Sequence, residues 1–182
     1  MRGYFGIGVE GISKPMNVGN LFRSAHGFGA SFVFTVGAQL RRASSKSDTA
    51  ETPRNLPYYA YPDLAAFRLP TDCVLVGVEL LDEAVDLPTF RHPRCAAYVL
   101  GRERGSLTPP LLALCRHVVK IPTRFCINVA SAGVVVMYDR MLSMGRFPGR
   151  PLVPGGEPVR LPDHVFGRPR SRKPDPAAGD LA

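Results

Sequence analysis

Acidic residues are scarce: 15 Asp and Glu stand against 23 Lys and Arg, a net charge of +8 over 182 residues. That imbalance argues against cationic partners and points to polyanions, nucleic acid first, although surplus arginine also serves plain solubility. Cysteine is sparse and unpatterned. Cys73, Cys95, Cys115 and Cys126 contain no C-x-x-C pair, so spacing implies neither zinc nor a disulfide framework. Cys73 and Cys95 sit in or beside apolar runs, where a buried free thiol is the ordinary reading. No apolar run reaches membrane-spanning length and no signal-peptide core follows Met1. A cytoplasmic protein with no membrane and no metal partner is therefore expected. No G-x-G-x-x-G lies between a strand and a helix: the glycines of Gly6 to Gly11, Gly27 to Ser31 and Val76 to Leu80 do not make a dinucleotide fingerprint. No internal repeat is visible.

What is present reads as one domain. Tyr4 to Val9, Ser31 to Val36, Cys73 to Val78, Ala96 to Leu100 and Val118 to Ile121 are short, apolar and rich in Val or aromatics, the pattern of strands buried on both faces. Helix candidates fall between them at Asn17 to His26, Asp63 to Arg68 and Pro109 to Leu114, with a long one from Asn128 to Met144. The alternation predicts an α/β fold, a mostly parallel sheet flanked by helices.

Two segments stand outside the alternation. Gln39 to Pro62 carries Arg41, Arg42, Lys46, Arg54 and the tyrosines 58, 59 and 61 without a clear period, and reads as a long basic loop. From Gly145 the chain holds 8 of its 18 prolines, with 6 arginines and Lys173. The expected organisation is a domain over 1–144 and a Pro/Arg-rich, partly disordered extension over 145–182.

Three blocks could carry chemistry. In the first, Val18, Leu21, Phe22 and Ala25 form one apolar helical stripe, with Asn17 placed to cap it. Arg23 lies about 140° round from the head of that stripe, beside Gly19 and Asn20. In the second, Tyr98 to Pro110, a strand ends at Leu100 and turns through Gly101, Arg102, Glu103, Arg104 and Gly105 into a proline-started helix. Strand ends of open α/β sheets are where ligands sit, though Glu103 between two arginines also fits a solvated charge cluster. In the third, a strand ends at Ile121, a loop runs to Asn128 as N-cap, and the helix beyond is apolar nearly all the way round.

In this order and at these distances the blocks resemble the SPOUT class of methyltransferases, in particular the SpoU or TrmH-type enzymes that methylate RNA 2′-hydroxyls. Asn17, Val18, Gly19, Arg23 and Ala25 look like that family's first motif, N-x-G-x-x-x-R-x-A. Leu100, Gly101, Glu103, Gly105 and Leu107 look like the second, and Ile121 and Pro122 followed by Ile127, Asn128 and Val129 like the third. The likeness runs from about Phe5 to Met144, as in minimal members made of the catalytic domain alone. It departs from the pattern where Cys126 takes the place of a usual serine in a shortened loop.

The resemblance implies a fold with a C-terminal deep trefoil knot, which general topology would never suggest. It implies S-adenosylmethionine held by Val78, Glu79, Leu100, Gly101, Gly105, Ile121, Pro122, Cys126, Ile127 and Asn128, largely through backbone groups. Arg23, Asn17, Glu103 and Asn128 become the catalytic candidates, and Arg23, Arg41, Arg42 and Lys46 the RNA-binding ones. The implied activity is S-adenosylmethionine-dependent 2′-O-ribose methylation of tRNA or rRNA, by a homodimer joined through the helix over 128–144. A base-modifying methyltransferase of the same fold, or a catalytically silent knotted RNA-binding protein, are the alternatives. Binding of S-adenosylmethionine separates enzyme from silent module.

Overall fold

A computed structural model describes residues 3–39, 56–102, 105–145 and 155. The compact unit spans Met1–Phe147. Apart from Gly155, the extension expected beyond it lies outside the described residues, as do Arg41, Arg42, Lys46, Arg54 and Glu103. Among the described residues the strands are β1 (Tyr4–Glu10), β2 (Phe32–Val36), β3 (Tyr58–Tyr61), β4 (Val74–Val78), β5 (Val85–Asp86), β6 (Cys95–Leu100) and β7 (His117–Lys120). The helices are α1 (Pro15–Gly27), α2 (Pro109–Leu114) and α3 (Val129–Met144), with a 3₁₀ turn over Leu87–Thr89.

The strands form one sheet in the order β3-β2-β1-β6-β4-β7-β5, and every pairing is parallel. β6 is therefore inserted between β1 and β4, and β7 between β4 and β5. Apolar residues on both faces of the central strands demand cover on both sides. Phe5, Ile7, Val9, Ala96, Tyr98 and Leu100 face a core shared with Leu21, Phe22, Val136 and Met137 of α1 and α3. Phe34, Val99 and Leu75 face a second core with Phe67 and with Leu111 of α2. Gly6 and Gly8 serve that second face: a Cβ on Gly6 would fall 2.3 Å from the Phe32 ring, and one on Gly8 2.4 Å from the Phe34 carbonyl oxygen. These glycines let aromatic rings lie across β1, a packing role and not a phosphate loop.

α3 runs back down the sheet against α1 and is pinned at its far end by a buried cation. Arg140 donates to the carbonyls of Pro93 (2.7 Å) and Arg94 (2.8 Å) and to the Tyr98 hydroxyl (3.1 Å). His92 sits between that hydroxyl (Nδ1, 2.6 Å) and the Asp139 carboxylate (Nε2, 2.9 Å).

Three sequence expectations change. Asp63 to Arg68 is a turn and not a helix: the Asp63 carboxylate accepts from the Ala66 N–H (2.9 Å), satisfying the backbone locally. The tyrosines at the end of the presumed loop form the edge strand β3, with the Tyr58 hydroxyl bonded to Thr35 Oγ1 (2.9 Å). Asn17 does not cap α1. The helix starts earlier, with Lys14 at the cap and Pro15 in the first turn, where the missing N–H costs nothing.

Candidate active site

Parallel strands bring their C-terminal ends to one edge, and the three sequence blocks follow β1, β6 and β7 at that edge. Freed from capping, the Asn17 side chain is buried and accepts a hydrogen bond from the Asn128 amide (Oδ1···Nδ2, 3.1 Å). Asn128 caps α3 as its position predicts, Oδ1 accepting from the N–H groups of Ala130 (2.9 Å) and Ser131 (3.3 Å). One amide thus closes the third block and ties it to the first, 111 residues away. Arg23, two turns along α1 from Pro15, is exposed, and its guanidinium has no partner among the described residues.

A cleft of about 80 Å³ opens beside this junction, lined by Val78, Glu79, Leu80, Ile121, Thr123, Cys126, Ile127 and Ala132. Val78, Glu79, Ile121, Cys126 and Ile127 of the expected cofactor residues meet there; Leu100, Gly101, Gly105, Pro122 and Asn128 stand outside its walls. Leu80, Thr123 and Ala132 were not expected. Thr123 shapes the third loop by donating its hydroxyl to the Phe125 carbonyl (2.9 Å), which holds Phe125 out at 72% exposure.

Two carboxylates that motif spacing does not single out as a pair hold the second block in place. Glu79 accepts from the N–H groups of Leu80 (3.1 Å) and Leu107 (2.8 Å), and Glu10 accepts from the Thr108 N–H (2.7 Å) and hydroxyl. Each carboxylate reaches from the end of its strand to a loop amide, a charge-assisted bond stronger than a neutral one. The loop then folds tightly over Gly101, where a Cβ would stand 3.1 Å from the Leu107 nitrogen. The Arg102 stem lies between Gly105 and Gly11, the latter at φ +62°, so a side chain at Gly105 would fall 2.6 Å from Arg102 Nε. Among the described residues no group of three His, Cys, Asp or Glu side chains could hold a metal ion. No helix among them is long and apolar enough to cross a membrane.

This architecture has relatives. The SpoU methyltransferase AviRb of Streptomyces viridochromogenes, solved in complex with the cofactor AdoMet, superposes with a TM-score of 0.68 at 24% identity, over 80% of this chain and 60% of that one. A structure addressing 2-OH methylation of C/U34 on tRNA gives 0.68 at 21% identity, over 79% of this chain and 92% of that one. In sequence, the tRNA (guanosine(18)-2′-O)-methyltransferase of Escherichia coli K12 is 25% identical over 137 residues, 72% of this chain. The chain spans 60% of the length of that relative. The profile of the SpoU rRNA methylase family matches residues 5–138, from β1 into α3, and so takes in all three blocks that the fold gathers at one edge of the sheet. With that span the chain belongs to the SpoU rRNA methylase family.

Proposed function

We propose that the protein is an S-adenosylmethionine-dependent 2′-O-ribose methyltransferase of tRNA or rRNA, working in the cytoplasm where those RNAs are found. The observation that carries the reading is the Asn17–Asn128 hydrogen bond, which sets the Arg23 helix beside the cleft. The residues present fit the cofactor. Val78, Ile121, Ile127 and Ala132 would offer apolar surface to the cofactor, and Glu79, its carboxylate already fixed by backbone amides, would set a negative charge in the same cleft. In this reading the cleft is the floor of the site, Leu100, Gly101, Gly105, Pro122 and Asn128 complete the cofactor set, and Glu103, outside the described residues, is a further catalytic candidate.

When bound, S-adenosylmethionine supplies an electrophilic methyl on a sulfonium. A ribose hydroxyl attacking that methyl must lose its proton as the new bond forms, and must be aligned with it. Arg23 grips the adjoining phosphate and polarises the hydroxyl. A guanidinium has a pKa above about 12 and stays protonated, so the proton passes to a phosphate oxygen or to water. Asn17 orients the helix that carries Arg23. The family's trefoil knot belongs to the same proposal.

Arg23→Ala is expected to abolish methyl transfer to bulk tRNA and rRNA while leaving S-adenosylmethionine affinity nearly unchanged. Arg23→Lys should fail as well, since an ammonium cannot reproduce a planar bidentate grip. Near-normal turnover of either variant would overturn the assignment, and undetectable cofactor binding by the intact protein would leave a silent RNA-binding module. Mapping the ribose methylations lost from a strain lacking the protein names the nucleotide.

The proposal extends to a homodimer through α3. That helix buries Val136 and Met137 on the sheet yet leaves Val135 37% and Tyr138 44% exposed on the other side. A two-fold contact is the usual cover for such a face.

A further inference from the structure

At the edge of the sheet opposite the cleft, two of the four cysteines stand side by side. Val74 of β4 pairs in register with Ala96 of β6, so Cys73 and Cys95, one residue earlier on each strand, lie opposite one another. Their parity puts both side chains on the face shared with Leu75, Ala97 and α2, where Cys73 packs beside Tyr4. Tyr4 is the register partner of Cys95 on the other side; its hydroxyl points to the Thr71 carbonyl (3.5 Å), in the turn just before Cys73. Neighbouring strands lie about 4.8 Å apart, inside the Cα window of about 4.4–6.8 Å that a disulfide spans. Cys73 stands just before β4 begins, at the end of a turn in which its N–H donates to the Pro70 carbonyl (3.1 Å). It also lines an open cavity of about 490 Å³ with Phe67, Arg68, Leu69 and Arg116, which gives small molecules access. Both cysteines are free thiols and half-buried.

We propose that Cys73 and Cys95 are a reversible dithiol–disulfide pair, oxidised by low-molecular-weight disulfides. The Cys73 thiolate attacks one sulfur of the small disulfide and expels a thiolate, leaving a mixed disulfide on Cys73. The Cys95 thiol, losing its proton to solvent, attacks the Cys73 sulfur and expels the second small thiolate. Two cysteine thiols are oxidised and one small disulfide is reduced to two thiols. Burial pushes the Cys73 thiol above its ordinary pKa, so the first step quickens as pH rises through the alkaline range. The closed ring would contain β4 and β5, the two strands that bracket β7, and would leave the cleft five residues further along β4 untouched.

The test treats the intact protein with oxidised glutathione under native conditions, counts remaining thiols, and maps non-reduced tryptic peptides. Two of four thiols should disappear, with peptides 69–91 and 95–102 joined, and dithiothreitol should restore them. The thermal midpoint should rise on oxidation in the wild type and in Cys115→Ser and Cys126→Ser. It should not rise in Cys73→Ser or Cys95→Ser. Four thiols still titrating after treatment, a glutathione adduct that never resolves, or a bridge to Cys115 or Cys126 would overturn the proposal. Because the peptide map uses wild-type protein, it stands even where a serine variant folds poorly.

Discussion

A guanidinium only 5% exposed must have its charge and donors satisfied from within, and Arg140 manages this with backbone carbonyls, a phenol and two aromatic faces. Its bond to Tyr98 sets the order of the chain beyond. With the Tyr98 oxygen accepting from Arg140, its hydroxyl hydrogen goes to His92 Nδ1, and neutral His92 donates from Nε2 to Asp139. Burial pushes the Tyr98 phenol up to about 12, so it remains a donor at any working pH. Burial likewise holds His92 below its ordinary value of 6.5, although Asp139 pulls the other way. The unfolded chain therefore binds the proton more readily than the folded one. Stability from this group is complete above pH 6.5 and is lost as pH falls through the depressed value, by at most about 1.4 kcal/mol per unit for one proton. Urea midpoints at pH 7.5 and 5.5 should show the loss in wild type and a smaller one in His92→Gln; equal losses would remove His92 from the account. Arg23, Asn17 and Asn128 were legible as polar groups on otherwise apolar helices. Arg140, Glu10 and Glu79 were not legible in their roles, because what each holds is backbone or a phenol remote in sequence, which no spacing rule reports.

α3 carries most of the element-scale constraint, and Gly133 is where α1 comes closest. A Cβ there would fall 2.3 Å from Leu21 Cδ1 and 3.4 Å from Ile7 Cδ1, both fully buried. Alanine would favour the helix by about 1 kcal/mol over glycine, while overpacking a filled core costs about 1–3 kcal/mol. Gly133→Ala is expected to destabilise by about 1 kcal/mol net, measured by denaturant unfolding, and Leu21→Ala in the same chain should recover part of its own loss by making room. Simple additivity of the two would place the methyl elsewhere. The central strands were readable as short continuous apolar runs, and α3 by its length and its Asn128 cap. β3 escaped because an edge strand of half-exposed tyrosines has no alternation to display, and β5 because two residues carry no period at all. Proline at the start of α1 moved that helix's beginning back from Asn17, and so freed a presumed cap to pair with Asn128.

At the scale of the whole molecule the chain carries a net charge of +8, and among the described residues one side of α3 is exposed. Replacing Arg41, Arg42 and Lys46 together should weaken RNA binding and flatten its salt dependence by about one unit of log–log slope per lost phosphate contact at most, with cofactor binding unchanged. An unaltered slope would make that connection ordinary surface. If the homodimer places Arg23 of one chain over the cleft of the other, mixing an Arg23→Ala chain with an Asn128→Ala chain should restore part of the activity after subunit exchange. A fully active monomer at micromolar concentration would defeat the dimer, whereas a dimer whose mixtures stay inactive would confine each site to one chain. The amide bond between Asn17 and Asn128 has one more consequence, for damaged copies. A chain cut short before residue 128 keeps Arg23 and every basic residue of the connection after β2, yet lacks the partner that seats Asn17 and the Ala132 wall of the cleft. Such a fragment also lacks Val136 and Met137, which cover the sheet beside Leu21 and Phe22, so one face of its core would lie open to water. Truncation would therefore remove the fold together with the candidate site, and a broken chain would meet the cell's proteases as unfolded polypeptide.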